Sequence, residues 1–276
     1  MFPVSRIEGG QNVAAGPDPN SEWRGEAYRP AAGHHRAVDD WFIDGLPPDP
    51  NDLVVDLGSG TGEFTAVLAD MVTGGRVIGV EPDSSMLATA GRITHPRLEF
   101  KRGSAQELDH VIEPGTVDKV LSRAVLHWIP VDEYPQVFAA AYRVLRPGGW
   151  FHSESAGAGN GPRMIALVDD LADQFGVERP PRFPDAALAF DVVENAGFEI
   201  PPGGVRTIAQ RRQFDREQME SFLRTQVSVL LTRHADAGMS ADIVEATVGG
   251  IERMRRSDGT FDQTFVRLEI IARRPE

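Results

Sequence analysis

Apolar and polar positions along the chain follow two alternating rhythms. Residues 53–57 (LVVDL) are a short apolar run between Asp52 and Gly58, as expected of a strand buried on both faces. Residues 63–72 (EFTAVLADMV) then carry apolar side chains at helical spacing. The same exchange of periods predicts strands over 76–81, 98–103, 117–124 and 150–155. It predicts helices over 84–93 and 134–145, the latter stopped by Pro147, Gly148 and Gly149. An earlier helix is expected over 29–43, ended by Gly45 and the Pro47–Pro48 pair. Strand and helix thus alternate for about 100 residues, which predicts an α/β fold: a parallel sheet with helices on both faces. Beyond Ala156 the pattern loosens into helices over 161–175, 186–197, 217–233 and 241–256, with strands over 205–214 and 261–274. Residues 1–20, rich in Gly, Pro and Asn, are expected to form a flexible arm.

Composition narrows the field of functions. The chain has 276 residues, 41% of them apolar, enough for a sizeable core. A formal net charge of −13 disfavours a generic nucleic-acid binder and an anionic membrane surface. There is no cysteine, which excludes disulfides, thiolate zinc sites and a thiol nucleophile. No stretch reaches the roughly 20 apolar residues of a membrane span, and no signal-peptide core is visible at the N-terminus. A soluble cytoplasmic protein is the expectation.

Candidate chemistry begins at VVDLGSGTG (54–62), where Gly58, Gly60 and Gly62 follow a strand and precede a helix. Such a turn brings a ligand close to the main chain at a helix N-terminus. A phosphate loop of the Walker type needs Lys-Ser/Thr after the last glycine, but Glu63-Phe64 follow. The spacing is G-x-G-x-G rather than the dinucleotide G-x-G-x-x-G, and Glu63 opposes a pyrophosphate. A ligand with a positive centre and no phosphate suits Asp56 and Glu63 better.

These residues resemble motif I of the class I S-adenosylmethionine-dependent methyltransferases. VIGVEPDSSML (77–87), RGSAQEL (102–108), VDKVLSRAVLHWI (117–129) and LRPGGWF (145–151) resemble the family's later motifs in order, and FVRLEIIARRP its last strand. The resemblance implies a Rossmann-like seven-stranded, mostly parallel sheet with an antiparallel last strand and a helical lid. It implies a cofactor-binding core over 21–156, a lid and acceptor region over 157–256 with an interleaved strand at about 205–214, and a final core strand within 257–276. It implies S-adenosylmethionine as cofactor, held by Asp56, Gly58, Ser59, Gly60, Glu81, Pro82, Ser104, Ala105, Ser122 and Arg123. Glu81 would take both ribose hydroxyls, and Ser104 stands where the family usually has Asp. The arm AYRPAAGHHR (27–36) resembles that of trans-aconitate-type small-molecule methyltransferases, so Tyr28 and Arg29 would cap the cofactor.

His127, just after the fourth strand, and Glu154, on the fifth, are the candidate catalytic residues. His127 would serve as a base for a hydroxyl acceptor, since its ordinary pKa lies near neutrality. A carboxylate acceptor would need no base. Arginines between 211 and 256 suit an anionic acceptor or plain surface pairing. No compact metal-ligand motif is visible, so no metal is expected. The expected function is methyl transfer to a small molecule, O-methylation first. C-methylation, a non-catalytic cofactor-binding protein and a nicotinamide oxidoreductase are the alternatives. No nucleic-acid or membrane partner is expected, and a homodimer is left open.

Overall fold

The computed structural model describes residues 39–232 and 235–276. The expected arm at 1–20, Tyr28 and Arg29 lie outside these residues. Of the helix expected over 29–43, the described part is α1 (Asp39–Gly45).

Seven strands form one sheet: β1 (Leu53–Leu57), β2 (Arg76–Glu81), β3 (Leu98–Arg102), β4 (Val117–Arg123), β5 (Leu145–Ala156), β6 (Val205–Arg212) and β7 (Gln263–Arg273). Their order is β3-β2-β1-β4-β5-β7-β6, and β7 runs antiparallel to both its neighbours. The remaining pairs are parallel. Strand order reverses between β1 and β4, the place where an open α/β sheet presents a ligand crevice at its carboxyl edge.

Helices α2 (Glu63–Met71), α3 (Ser84–Ala90), the short α4 (Leu108–Val111) and α5 (Tyr134–Val144) link the first five strands. Both faces of β1 are buried, which explains its unbroken apolar run. Val54 packs with Phe42, Phe64 and Leu68 on one side. Val55 and Leu57 pack on the other, in the cluster that holds Phe138 and Phe151. Asp83 starts α3 by accepting hydrogen bonds from the N–H of Ser85 (2.8 Å) and Met86 (2.9 Å).

Beyond β5 come α6 (Pro162–Phe175), α7 (Ala186–Asn195), α8 (Arg216–Phe222), α9 (Val229–Thr232) and α10 (Ala237–Gly249). α6, the α8–α9 region and α10 share a separate apolar cluster with Leu167, Leu171, Leu223, Val227 and Ile243 at its centre. The expected helix over 217–233 is interrupted by a π turn at Leu223–Val227. Within and beside it, Thr225 and Ser228 hydroxyls donate to the carbonyls of Ser221 and Arg224, competing with the regular ladder. The helix expected over 241–256 starts earlier, where Asp236 accepts from Met239 N–H, and tightens to a 3-10 turn after Gly249.

β5 also starts earlier than its apolar run. Leu145 pairs with Val117, and pairing resumes at Trp150 opposite Lys119. The residues between bulge outward because Pro147 has no N–H to donate and Gly148 adopts φ of 76°. The N–H of Gly148 turns instead to the carbonyl of Arg274 at 2.9 Å. Among the described residues, no helix is long and apolar enough to cross a membrane.

Candidate active site

The turn after β1 closes over the end of β2. The N–H groups of Gly58 and Ser59 both donate to the carbonyl of Val80, at 2.8 and 3.1 Å. Gly58 has φ of 76°, and a Cβ there would meet Val125 at 2.3 Å. Glycine is therefore required at this point by both backbone and packing. Gly60 also has positive φ, but a Cβ there would meet nothing within 4 Å, so its α-carbon borders open space.

That space is a cleft of about 690 Å³ at the carboxyl edge of β1, β2 and β4. It is large enough for a nucleoside-sized ligand. Gly58, Ser59, Gly60, Glu81, Pro82, Ser104, Ala105 and Arg123 line it. So do Thr61, Glu63, Phe64, Val67, Met86, Gln106, Ala124, Val125, Trp128 and Ile129. Val67 lies one helical turn beyond Glu63 on α2, and that spacing alone marks the shared face. The Val125 and Gln106 positions carry no such periodic signal.

Glu81 ends β2 inside this cleft. One carboxylate oxygen accepts from Gly60 N–H at 2.9 Å and the other from Asp83 N–H at 3.0 Å. Burial outweighs both bonds and raises its carboxyl to about 7. The Ser59 hydroxyl is buried with no hydrogen-bond partner among the described residues. The Arg123 guanidinium lies over the Phe64 ring, 4.5 Å from its centroid.

Four candidate residues lie off the lining. Asp56 is buried behind the turn, where the Thr65 hydroxyl donates to it at 2.7 Å. Ser122 is buried and donates to the carbonyl of Leu57 at 3.2 Å. Glu154 is fully buried in the sheet, 3.0 Å from Arg267 Nη1. His127 sits beside the cleft: its ring is 5.0 Å from that of Trp128, and its Nδ1 accepts from Ala156 N–H at 3.4 Å. Of the arginines between 211 and 256, Arg211, Arg224, Arg253 and Arg255 pair with Asp262, Glu245, Asp170 and Glu252. Among the described residues, no group of three or more His, Asp or Glu side chains is placed to hold a metal ion.

Ala124, at the mouth of the cleft, has φ of 58° without being glycine. Its N–H donates to the carbonyl of Glu154 at 2.7 Å, which holds the chain in this strained turn. Ala124→Val is expected to cost about 2 kcal/mol, because a β-branched side chain tolerates positive φ worst. Ala124→Gly is expected to stay within about 0.5 kcal/mol of the parent, its relief of strain offset by a freer unfolded chain. Urea unfolding of the three proteins checks the order.

Residues 54–149 match a family model described as a methyltransferase domain. The chain is 41% identical over 104 residues to trans-aconitate 2-methyltransferase of Deinococcus radiodurans, a match spanning 38% of each chain. It is 26% identical over 245 residues to the enzyme of the same name from Methylobacterium radiotolerans, spanning 83% of this chain and 89% of that one. The fold is similar to that of Haemonchus contortus phosphoethanolamine N-methyltransferase 2 solved in complex with S-adenosylmethionine. The TM-score is 0.59 at 18% identity, over 91% of this chain and 57% of that one.

The cleft fits this cofactor. It offers a buried serine hydroxyl without a partner among the described residues, an α-carbon open to the cavity at Gly60 and a buried carboxylate at the end of β2, groups suited to a nucleoside with ribose hydroxyls. The matched stretch contains that same turn and carboxylate. On these grounds residues 54–149 are a methyltransferase domain of the S-adenosylmethionine-dependent kind, and the chain is similar to the trans-aconitate enzymes.

Proposed function

We propose that the chain methylates a carboxylate oxygen of a small organic acid. The observation that carries this reading is the hydrogen bond from Ala156 N–H to His127 Nδ1. A neutral ring that accepts at Nδ1 carries its proton on Nε2, so Nε2 donates rather than accepts. A donor suits an ionised carboxylate, which needs no base, better than a hydroxyl that must lose a proton. The names of the two bacterial relatives point the same way, since trans-aconitate is an organic acid.

When bound, S-adenosylmethionine supplies an electrophilic methyl group on a sulfonium. The chain's own residues hold and orient. Glu81 would accept the ribose hydroxyls, while Pro82, Met86, Ser104 and Ala105 would border the base. Asp56 and Ser122 would act from behind the turn, through Thr65 and the Leu57 carbonyl. Trp128 lines the cleft and also packs against the helical cluster of α6 and α8–α10. We therefore assign that cluster, within 157–256, as a lid that excludes water over the acceptor. Tyr28 and Arg29 are assigned to capping the cofactor. Glu154, paired with Arg267 inside the sheet, would tune the charge below the acceptor rather than touch it.

Incubation with S-adenosylmethionine carrying a labelled methyl group, and with a panel of organic acids beginning with trans-aconitate, tests the reading. A methyl ester releases its label as volatile methanol in mild alkali; a methyl ether or a C-methyl product does not. Alkali-labile label is the expected result. Alkali-stable label in a small-molecule product would reject the carboxylate and return His127 to the role of base.

A further inference from the structure

Two loops that line the cleft are held from one place outside it. Gln106, in the loop after β3, lines the cavity, as do Val125, Trp128 and Ile129 in the segment after β4. Both segments are bonded to the start of α5. Glu133 stands at the N-cap of that helix, yet its side chain makes no capping bond. It accepts instead from the Gln106 amide at 2.5 Å. Tyr134, the next residue, is fully buried. Its hydroxyl donates to the carbonyl of Leu126 at 2.9 Å. Burial pushes the pKa of that hydroxyl well above its ordinary value, so it keeps its proton to donate. Neither Glu133 nor Tyr134 lines the cleft.

Leu126 opens the 3-10 turn Leu126–Trp128, which carries His127 and Trp128. Its carbonyl already accepts from Ile129 N–H at 3.0 Å, so the Tyr134 hydroxyl takes its second lone pair. A lone 3-10 turn has poor internal hydrogen-bond geometry, and an outside donor adds a constraint it lacks. The same segment has no slack toward the glycine turn. Val125 packs so near Gly58 that a Cβ there would meet it at 2.3 Å. A shift of the segment after β4 is therefore felt directly at the turn after β1.

We infer that Tyr134 and Glu133 are positioning residues for methyl transfer. Tyr134 sets the turn that bears His127 and Trp128, Glu133 sets the Gln106 wall, and their adjacency fixes one against the other. An in-line transfer loses rate steeply when its partners are misplaced, whichever acceptor atom is methylated. Walls fixed before the ligand arrives also lower the entropy lost on binding.

Fluorine NMR of the full chain labelled with 5-fluorotryptophan, followed through a titration with S-adenosylhomocysteine, reads this directly. The line of Trp128 is assigned by its loss in Trp128→Phe, and those of Trp41 and Trp150 serve as internal controls. Tyr134→Phe keeps the ring that meets Phe138 edge-on at 6.1 Å and removes only the hydroxyl. It is expected to shift or split the Trp128 line, to leave the Trp41 and Trp150 lines in place, and to weaken S-adenosylhomocysteine roughly fivefold. Glu133→Ala should weaken the ligand by a similar factor, whereas Glu133→Gln, which still offers Gln106 an acceptor, should restore most of the affinity. Equal disturbance of all three lines in Tyr134→Phe would mean a general packing role and overturn the assignment. Unchanged affinity in Tyr134→Phe, or no rescue by Glu133→Gln, would overturn it too. If the unaltered protein did not bind S-adenosylhomocysteine, the cofactor reading itself would fail, and the positioning role with it.

Discussion

Raising the pH from 6 to 8 is expected to tighten binding of S-adenosylhomocysteine about tenfold, with the change centred near pH 7. The cause is Glu81, whose carboxyl burial raises from 4.5 to about 7. Ribose hydroxyls donate hydrogen bonds, so they favour the ionised carboxylate. About a tenth of the protein has that form at pH 6 and about nine tenths at pH 8. The sign for the protein without ligand is opposite. A carboxyl with a raised pKa contributes stability that is complete below 4.5 and lost as the pH climbs through about 7. Ionised Glu81 then costs on the order of 3 kcal/mol, and a bound ribose offsets part of it. Ligand-induced gains in Tm should therefore be larger at pH 8 than at pH 6. Glu81→Gln is expected to bind at least tenfold more weakly at pH 8 and to lose the dependence on pH. A flat profile in the unaltered protein would separate Glu81 from the ribose.

Phe138→Ala is expected to cost 3–5 kcal/mol, roughly the scale for an aromatic removed from a packed core. Phe138 is fully buried at the centre of the apolar layer between α5 and the sheet. Its ring meets Phe151 edge-on at 5.2 Å, Tyr134 at 6.1 Å and Phe198 at 6.4 Å. Little can collapse into the space, because the neighbours are rigid rings on different elements. Phe138→Leu should recover about half of the loss, and guanidinium unfolding gives both values. A loss below about 1 kcal/mol would mean that α5 repacks freely.

The sequence was most legible where burial leaves a strand no choice. β1 and β2 fall on their apolar runs because both their faces are covered and glycine or an acid ends each one. The apolar run of β5 is shorter than the strand, since its first residues make a bulge around Pro147 that only the sheet partner explains. The π turn at Leu223–Val227 is not distinguishable from plain helix by pattern, because its apolar spacing is nearly that of an α-helix. α4, with four residues, has no period to detect. In the cleft, the glycine turn announced itself, whereas the direction of the Asp56 side chain did not. Its identity suggested a ligand contact, whereas its bond to the Thr65 hydroxyl, nine residues on, belongs to the tertiary fold. Trp128 lines the cleft just after β4, and its second contact, with the helical cluster, belongs to the tertiary fold.

The position of β7 between β5 and β6 has a bearing on synthesis. β6 ends at Arg212 and, among the described residues, the only strand it pairs with begins at Gln263, 51 positions later (263 − 212). At roughly 5–20 residues per second on a ribosome, β6 waits several seconds for its neighbour. During that time it is an unpaired edge of the kind that invites another chain to add on. Its sequence, VRTIAQRR, answers with three arginines and few large apolar side chains. The positive charge on β6 thus protects a nascent chain, a task that ends when β7 slides in and Glu269 takes up Arg206.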